Sequence, residues 1–497
     1  MEKSGLRIAV ILDGMGLVLL VFSIAFLPPI IMGVLDGEDP YRLVESYGLA
    51  IAVCLVVGAF LKFSTRSLYY RLRPGEAMAL VSLSWLVIAV VGAIPFLGLG
   101  IVSNPVDAFF ESMSGFTSTG ATVLSGLDDM PRSILLWRAL SQWLGGMGVI
   151  VLSVAVLSRF MGGPVKPMIM EAEIPGPKMV RMAPRMAQTA RLLWGIYSLL
   201  TLMEFVLLLA VGHVVGHQMG VFDALCHSLT TLPGGGFGTH DANVGYWDNP
   251  GIELIIMIFM MAGATSFVLH YRALHLDWRS YLKDPELRFY VMVVTLLALV
   301  VSGTLAVKGI YTMGSSLRFG TFQVISMMTT TGFTTADYGA WPTLAQFLLL
   351  VMMLLGGSLG STSGALKMTR IMVILKSARL LLEKTRHPRG IFHVRIGDRV
   401  VSDEEVANTV TYVVLYLTVI AVGVALLTAD GGEMVDSASA TLTCIGNVGP
   451  GLGVVGPSTT FAALPHFSKL VLSFIMWLGR LEILGCLLLF SPKAWTE

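Results

Sequence analysis

The sequence predicts an all-α integral membrane protein, in which two accessory spans are followed by four repeats of span, pore loop and span. Three observations predict this fold class. The 497 residues are 55% hydrophobic and only 13% charged, whereas globular chains carry about 25% charged residues. Ten apolar segments are candidates to cross a bilayer. Four glycine-centred loops recur between them, which indicates an internally repeated, pseudo-fourfold pore.

The predicted spans are long apolar runs, and they cover residues 8–31, 47–63, 77–99, 134–157, 190–212, 252–271, 289–307, 344–382, 406–428 and 467–490. The first two have no pore loop between them and form the accessory pair. The first span carries Asp13 and lacks a small-residue cleavage site, so we expect it to be retained and not removed as a signal peptide. The predicted domains are the accessory pair (1–75), repeat 1 (76–160), a cytoplasmic linker with repeat 2 (161–280), repeat 3 with a broken second helix (281–385), and a cytoplasmic hairpin with repeat 4 (386–497).

The four loops share hydroxyl side chains around a central glycine. They read SMSGFTSTGATV at 112–123, SLTTLPGGGFGT at 228–239, SMMTTTGFTTAD at 326–337 and SATLTCIGNVGPG at 439–451. Unpaired backbone is not stable in lipid, so such a loop packs in protein or lines a wet cavity. Glycine lets the backbone turn where a β-carbon would clash, and freed carbonyls can replace the water around a cation.

Taken alone, each stretch also fits a surface loop between two helices, and the fourfold repetition favours an ion filter. The residues predicted to present their carbonyls to the ion are Ser118, Thr119, Gly120, Gly234, Gly235, Gly236, Thr330, Thr331, Gly332, Asn447, Val448 and Gly449.

A short amphipathic segment precedes each loop, at 105–116, 220–231, 317–328 and 433–444. These segments are too short to span a bilayer. As half-helices pointing inward, they would turn the negative ends of their dipoles toward a cation at mid-membrane. Three of them carry an acid near the start (Asp107, Asp223 and Asp436), and the third copy in the chain has Arg318 instead.

Basic residues concentrate in alternate connections between the spans, which predicts the orientation of the chain. They cluster at the N-terminus and at 62–73, 159–191, 272–288 and 384–399, whereas the opposite side has Arg42, Arg132, Lys308 and Arg318. Both termini are therefore predicted to be cytoplasmic, and the four pore loops to enter from outside. Within 384–405, the alternation IFHVRI followed by Gly-Asp is typical of a small β-hairpin.

A gate is predicted in the eighth span, where 356–364 reads GGSLGSTSG and Lys367 follows. Such a stretch does not hold a lipid-facing helix. The alternative is a loop that joins two separate spans, but the flanking apolar runs are too short to cross alone. We therefore expect one broken span, with its break below the filter. The predicted gate residues are Gly356, Gly357, Gly360, Gly364, Lys367 and Arg480.

Arg480 lies midway along the last predicted span, where a charged side chain must face protein or water. A barrier to cations and a structural anchor both remain open for it. Glu482 is two residues away and does not share its helix face, so any anchoring role needs another partner.

Other function classes find little support in the sequence. The net charge of +1 does not favour a nucleic-acid partner, and the four cysteines show no CxxC spacing that would indicate a disulfide or metal framework. No Walker A motif and no nucleophile–base set supports a membrane enzyme. The runner-up is a sodium- or proton-coupled secondary transporter, but that class usually has broken helices in two inverted repeats.

The loops, the broken span and GRLE at 479–482 resemble TrkH-type subunits of the Trk/Ktr/HKT superfamily of potassium transporters. The stretches that carry the resemblance are WLGGMGVIVLSVAVL at 143–157, GGFGTHDA at 235–242, TTTGFTTADY at 329–338 and GNVGPGLG at 446–453. The chain departs from the pattern at Pro233, which precedes three glycines, and at Asn447–Val448, where loop 3 has two threonines.

The resemblance implies a potassium-channel-like pore with potassium as the permeant ion and no organic cofactor in this chain. It further implies a glycine-rich gating loop, an arginine below the filter, and a homodimer in the bacterial cytoplasmic (inner) membrane. The partners it implies are cytoplasmic TrkA-type subunits that bind nucleotides and NAD.

Overall fold

The computed structural model describes residues 7–65, 74–160, 186–213, 218–387, 389–390 and 392–490. The predicted linker at 161–185 lies outside the described residues, as do the ends of the chain at 1–6 and 491–497. The accessory pair consists of α1 (Ile8–Leu35) and α2 (Pro40–Ser64), which pack along each other. It rests on the first repeat through aromatic contacts, in which the ring of Trp137 stacks on that of Phe26 at a centroid distance of 4.5 Å.

The four repeats follow in chain order, each with a short pore helix between longer elements. Repeat 1 has α3 (Gly75–Gly98), the pore helix α4 (Pro105–Phe116) and α5 (Arg132–Phe160). Repeat 2 has α6 (Met186–Gly212), the pore helix α7 (Val221–Thr231), α8 (Pro250–Gly263) and α9 (Phe267–Leu274). Repeat 3 has α10 (Pro285–Val307), the pore helix α11 (Met313–Met328), α12 (Thr343–Met352) and α13 (Met368–Arg386). Repeat 4 has α14 (Asp403–Ala429), the pore helix α15 (Met434–Gly446) and α16 (His466–Arg480).

The chain is a multi-pass membrane protein. Six helices in the described residues are long and apolar enough to cross a membrane, and the bent pair α8–α9 is a seventh candidate. The other predicted spans correspond to α5, to α12 with α13, and to α16, which carry charges or are interrupted.

Two of the pore helices, α4 and α11, begin at a polar N-cap whose side chain bonds the first turn, which explains where they start. The side chain of Asn104 accepts the N–H of Val106 at 2.8 Å, and Pro105 occupies the first turn of α4. Helix α11 starts at Met313, earlier than the predicted 317, because Thr312 acts as its N-cap and accepts the N–H of Ser315.

Two predicted continuous spans are broken, and for these the expectation was wrong. The run 252–271 divides into α8 and α9, which meet at an angle of 103°. The run 467–490 loses its helix after Arg480, where Glu482 and Ile483 have left-handed backbones with φ of 57° and 46°. Neither run contains proline, but each has a glycine at its break, Gly263 or Gly479, which weakens a helix.

The break after α8 pairs with the interrupted segment that follows α12. The carbonyl of Ala264 accepts the N–H of Ser358 at 2.8 Å, and the N–H of Phe267 donates to the carbonyl of Gly360 at 3.1 Å. The N–H of Thr362 donates to Gly263 at 3.1 Å. Each break therefore supplies the backbone partners that the other has lost, as buried non-helical backbone at membrane depth requires.

The predicted hairpin is present as two short strands, β1 (Arg395–Ile396) and β2 (Arg399–Val400). They pair antiparallel, with Arg395 opposite Val400 and Ile396 opposite Arg399. Gly397 has a φ of 59° in the connecting turn, a conformation that glycine adopts without strain.

Candidate ion pathway

The four loops meet through their central glycines, which lie one after another around a closed ring. All four glycines have left-handed backbones, with φ between 77° and 114°. A β-carbon added at any of them would press against a carbonyl oxygen of the next loop. These contacts join Gly120 to Gly235, Gly236 to Thr331, Gly332 to Val448, and Gly449 to Thr119. The structure thus brings the four predicted loops into one ring, with a backbone approach that leaves room only for hydrogen.

Each pore helix ends in the same way, and this ending shapes the loop. The residue two before the central glycine is also left-handed, with φ of 49° at Ser118, 68° at Gly234, 56° at Thr330 and 52° at Asn447. Its N–H bonds the carbonyl three residues earlier at 2.9–3.3 Å, and the next N–H bonds the carbonyl five residues earlier at 2.8–2.9 Å. This is the Schellman pattern that closes the C-terminus of a helix. Two N–H groups of each loop are therefore hydrogen-bonded to the pore helix. This helix ending does not use the carbonyl oxygens of the loop.

The availability of these carbonyls differs between the loops. Within the described residues, no hydrogen bond reaches the carbonyl oxygens of Thr330, Thr331 and Gly332, and the same holds for Ser118, Thr119 and Gly120. Three others accept side-chain donors: Gly235 from Gln142 Nε2 at 2.7 Å, Gly236 from Asn243 Nδ2 at 3.2 Å, and Gly449 from Thr443 Oγ1 at 3.0 Å. Loops 1 and 3 thus present an unengaged set of carbonyls, and loops 2 and 4 a partly engaged one.

Hydroxyl pairs mark the same division. The hydroxyls of Thr117 and Thr119 share a hydrogen bond of 2.7 Å, and those of Thr329 and Thr331 share one of 2.8 Å. Loops 2 and 4 lack this pair because their sequences are Pro-Gly-Gly-Gly and Gly-Asn-Val-Gly. The side chain of Asn447 instead reaches across and donates to Thr119 Oγ1 at 2.9 Å. The departures noted in the sequence therefore give the ring a twofold pattern within its fourfold plan.

A buried ion pair behind loops 1 and 2 was not predicted from the sequence. Arg138 Nε lies 2.8 Å from Glu111 Oε1, and both side chains are almost completely buried. Glu111 also accepts the N–H of Val123 at 3.0 Å, while Arg138 donates to the carbonyl of Gly238 at 3.1 Å. The pair thus joins the end of loop 1 to the end of loop 2. The signal in the sequence is weak: an acid in the pore helix and an arginine in the following span, with nothing to show that they meet.

The predicted gate segment, residues 356–364, contacts loops 2, 3 and 4 directly. Thr362 Oγ1 donates to the carbonyl of Leu232 beside loop 2 at 2.7 Å. The N–H of Gly364 donates to Thr330 Oγ1 of loop 3 at 2.7 Å, and a β-carbon at Gly364 would strike the carbonyl of Gly446 beside loop 4. Its link to loop 1 is indirect and is made by Arg480.

Arg480 connects the predicted gate segment to loop 1. Its Nη1 donates to the carbonyl of Thr362 at 2.7 Å and its Nη2 to Ser118 Oγ at 3.0 Å, while the residue is only 3% exposed. Among the described residues no carboxylate forms a salt bridge with it, and Nε has no hydrogen-bond partner. A buried and uncompensated guanidinium therefore lies directly beside a predicted filter residue.

The remaining predicted gate residues lie close by. Gly356, Gly357 and Gly364 are buried, Gly360 is partly exposed, and Lys367 donates its ammonium group to the carbonyl of Ser363. Glu482 does not pair with Arg480. It binds Arg370 at 2.6 Å, and the guanidinium of Arg370 lies 3.9 Å from the ring centroid of Tyr412.

Outside the ring, a histidine bridges two repeats. His240 contacts Asp128 and lies 3.7 Å from Asp223, and its ring stacks on Tyr246 at a centroid distance of 3.6 Å. Partial burial acts to lower the pKa of His240, but the interactions with both carboxylates outweigh it, so the pKa lies above its ordinary value. Asp223, expected to serve the helix dipole, thus also holds the outer end of loop 2.

Comparison with known proteins places the chain among membrane transporters. Residues 46–496 match the family model TrkH, described as a cation transport protein. The chain is 37% identical to the Trk system potassium uptake protein TrkH of Halomonas elongata, with 99% of this chain and all of that one covered. It is 35% identical to the TrkH of Escherichia coli K12, with 97% and 98% covered.

A solved structure agrees with these relatives. The crystal structure of the potassium transporter TrkH from Vibrio parahaemolyticus superposes with a TM-score of 0.89 at 34% identity, over 99% of this chain and all of that one. The chain therefore belongs to the TrkH family of cation transport proteins.

Proposed function

We propose that the protein takes up potassium ions through the ring formed by its four loops. The observation that carries this proposal is the closed series of contacts between each central glycine and a carbonyl of the next loop. Carbonyl oxygens arranged in rings are the ligands with which channels replace the water around potassium. The relatives of the chain are named potassium uptake proteins, which supports the same ion.

The twelve predicted filter residues serve as the selective part of this path. Of their carbonyls, those of loops 1 and 3 coordinate the ion most directly, because no other donor competes for them within the described residues. Gln142 and Asn243 hold the carbonyls of loop 2 in position.

The segment 356–364 is the gate, and the arrangement described here is a closed one. It fills the space below the ring and is held by hydrogen bonds to residues of repeats 2, 3 and 4. Lys367 and Arg480 add positive charge at the same place, which opposes the passage of a cation. Opening requires this segment to leave its partners.

The protein is proposed to lie in the bacterial cytoplasmic (inner) membrane as a homodimer, with both termini in the cytoplasm. TrkA-type subunits that bind nucleotides and NAD would move the gate from that side. The concentration of basic residues in alternate connections supports the orientation, and the relatives' designation as parts of a Trk system supports the partners. The domain bounds proposed from the sequence follow the same repeats.

Ion flux into liposomes tests the proposal directly. Purified protein is reconstituted, and potassium and sodium uptake are compared for the parent and for a variant that lacks residues 359–361. We expect potassium to exceed sodium in both, and the shortened variant to conduct faster without a partner. Equal uptake of the two ions by the parent would overturn the filter, and parental flux in a folded shortened variant would overturn the gate.

A further inference from the structure

One carboxylate outside the ring holds both sides of the gate segment. Oε1 of Glu286, in the first turn of α10, accepts the N–H of Leu359 at 2.9 Å and the N–H of Thr369 at 2.9 Å. Leu359 lies within the gate segment, and Thr369 lies in the first turn of the helix that follows it. A single oxygen atom thus bonds both the gate segment and the first turn of α13, the helix that follows it.

The two N–H groups need an acceptor for different reasons. Leu359 sits in a stretch without helical pairing, where a buried backbone donor is costly to leave unpaired. Thr369 is among the first residues of α13, whose N-cap, Lys367, supplies no side-chain bond. A carboxylate at a helix N-terminus also interacts favourably with the positive end of the helix dipole. Glu286 therefore caps α13 from another helix while it holds the gate.

The start of α10 is itself in contact with the hairpin β1–β2. A β-carbon at Gly397, in the turn of the hairpin, would lie 3.3 Å from the ring of Pro285. The ammonium group of Lys376 on α13 donates to the carbonyl of Arg395 on β1. The hairpin thus touches α10 next to Glu286 and touches α13 beyond Thr369, so a displacement of the hairpin acts on the two helices that Glu286 joins.

We propose that Glu286 is a positioning residue that latches the gate segment closed, and that the hairpin sets the position of this latch. The proposal rests on the gating role given above to residues 356–364. Movement of the hairpin away from Pro285 shifts the first turn of α10, and Leu359 and Thr369 then lose their common acceptor. The gate segment leaves its place below the ring as a consequence.

The test compares Glu286→Ala and Glu286→Gln with Asp284→Ala as the matched control. Asp284 is the N-cap of the same helix and accepts the N–H of Leu287 at 2.8 Å, but within the described residues it makes no hydrogen bond to the gate. Because hydrogen bonds to charged acceptors are among the stronger ones, we expect Glu286→Ala to raise potassium flux without a partner by about tenfold. The Gln variant keeps an acceptor oxygen without its charge and should show a smaller rise, and Asp284→Ala should conduct like the parent.

A second readout follows the gate without using flux. Ser361 is completely buried, and the four native cysteines are buried too, so a Ser361→Cys background reports exposure of the segment through its rate of reaction with a water-soluble thiol reagent. We expect this rate to rise with Glu286→Ala and to stay at the parental value with Asp284→Ala. A rise in labelling without a rise in flux would support the latch and contradict the gate. Parental labelling and flux in the folded Ala variant, or in the Gln variant if only that one folds, would overturn the latch.

Discussion

Arg480 Nη2 donates a hydrogen bond of 3.0 Å to the hydroxyl oxygen of Ser118, so the last span of the protein touches the pore loop of its first repeat. This position is compatible with both roles considered for Arg480 from the sequence, a barrier to cations and a structural anchor. It holds Thr362 of the proposed gate and Ser118 of the proposed filter, and within the described residues no carboxylate pairs with its positive charge.

Replacement of Arg480 by alanine is expected to raise potassium flux. A unit charge about 8 Å from a cation at an effective dielectric constant of about 20 repels it by about 2 kcal/mol, so the gain should exceed tenfold. The partners left behind are a carbonyl and a hydroxyl, not a carboxylate, so no opposite charge is stranded. Uptake into liposomes and the thermal midpoint are measured for Arg480→Ala and for Arg480→Lys, which retains the charge. A stable alanine variant with parental flux would contradict both the barrier and the anchor.

A substitution at the ring should act through geometry alone. In Gly332→Ser, the new β-carbon meets the carbonyl oxygen of Val448, and the left-handed backbone adds strain of about 1–3 kcal/mol. We expect flux or the preference for potassium over sodium to fall by about tenfold. Gly303→Ser on α10 is the control, because nothing lies within 4 Å of a β-carbon there. Parental potassium flux together with an unchanged ratio of potassium to sodium flux in the folded Gly332 variant would speak against the ring.

The buried pair between Glu111 and Arg138 should be important for stability. Removing one partner leaves a charge buried without compensation, which costs about 3–5 kcal/mol. We therefore expect Arg138→Ala to lower the thermal midpoint strongly, and Arg132→Ala, whose pair with Asp36 is partly exposed, to change it little. Similar thermal midpoints for the two variants in the same detergent would contradict the expectation that the buried pair contributes more to stability than the exposed one.

The contacts of His240 with Asp128 and Asp223 predict that the thermal stability of the protein depends on the external pH. The pKa of His240 is raised by its carboxylate neighbours, against the effect of burial. Its stabilising contribution is therefore complete below the ordinary pKa of about 6.5 and is lost as the pH rises through the higher folded value. We expect the thermal midpoint of the parent to fall across this interval more than that of His240→Gln. Parallel curves for the two proteins would show that the contact adds no stability.

The sequence predicts the ring well because its signals are local and repeated. The hydroxyl-rich stretch around Gly332, preceded by a half-length helix, recurs in every repeat, so one pattern predicts all four loops and their order. The interruption at 356–364 is equally predictable from the sequence, because its composition excludes a helix facing lipid.

What the sequence does not predict are contacts between residues far apart in the chain. Ser118, Thr362 and Arg480 belong to three different repeats, and no periodicity connects them. The bend at 264–266 was missed because GATS, flanked by apolar residues, is compatible with a continuous helix. The helix breaks there because the carbonyls of Gly263 and Ala264 accept N–H groups of the gate segment. These N–H donors become apparent only once the fold is known.

The closed ring described above is drawn from a single polypeptide, and this has a genetic consequence. In a pore made of four identical subunits, one codon change alters all four quarters at once. Here Pro233 and Asn447 each stand in one quarter alone, between loops 1 and 3, which keep their threonines. Selection can therefore act on each quarter of this pore separately. A single substitution can change the ion preference by altering one quarter, which is not possible in a homotetramer.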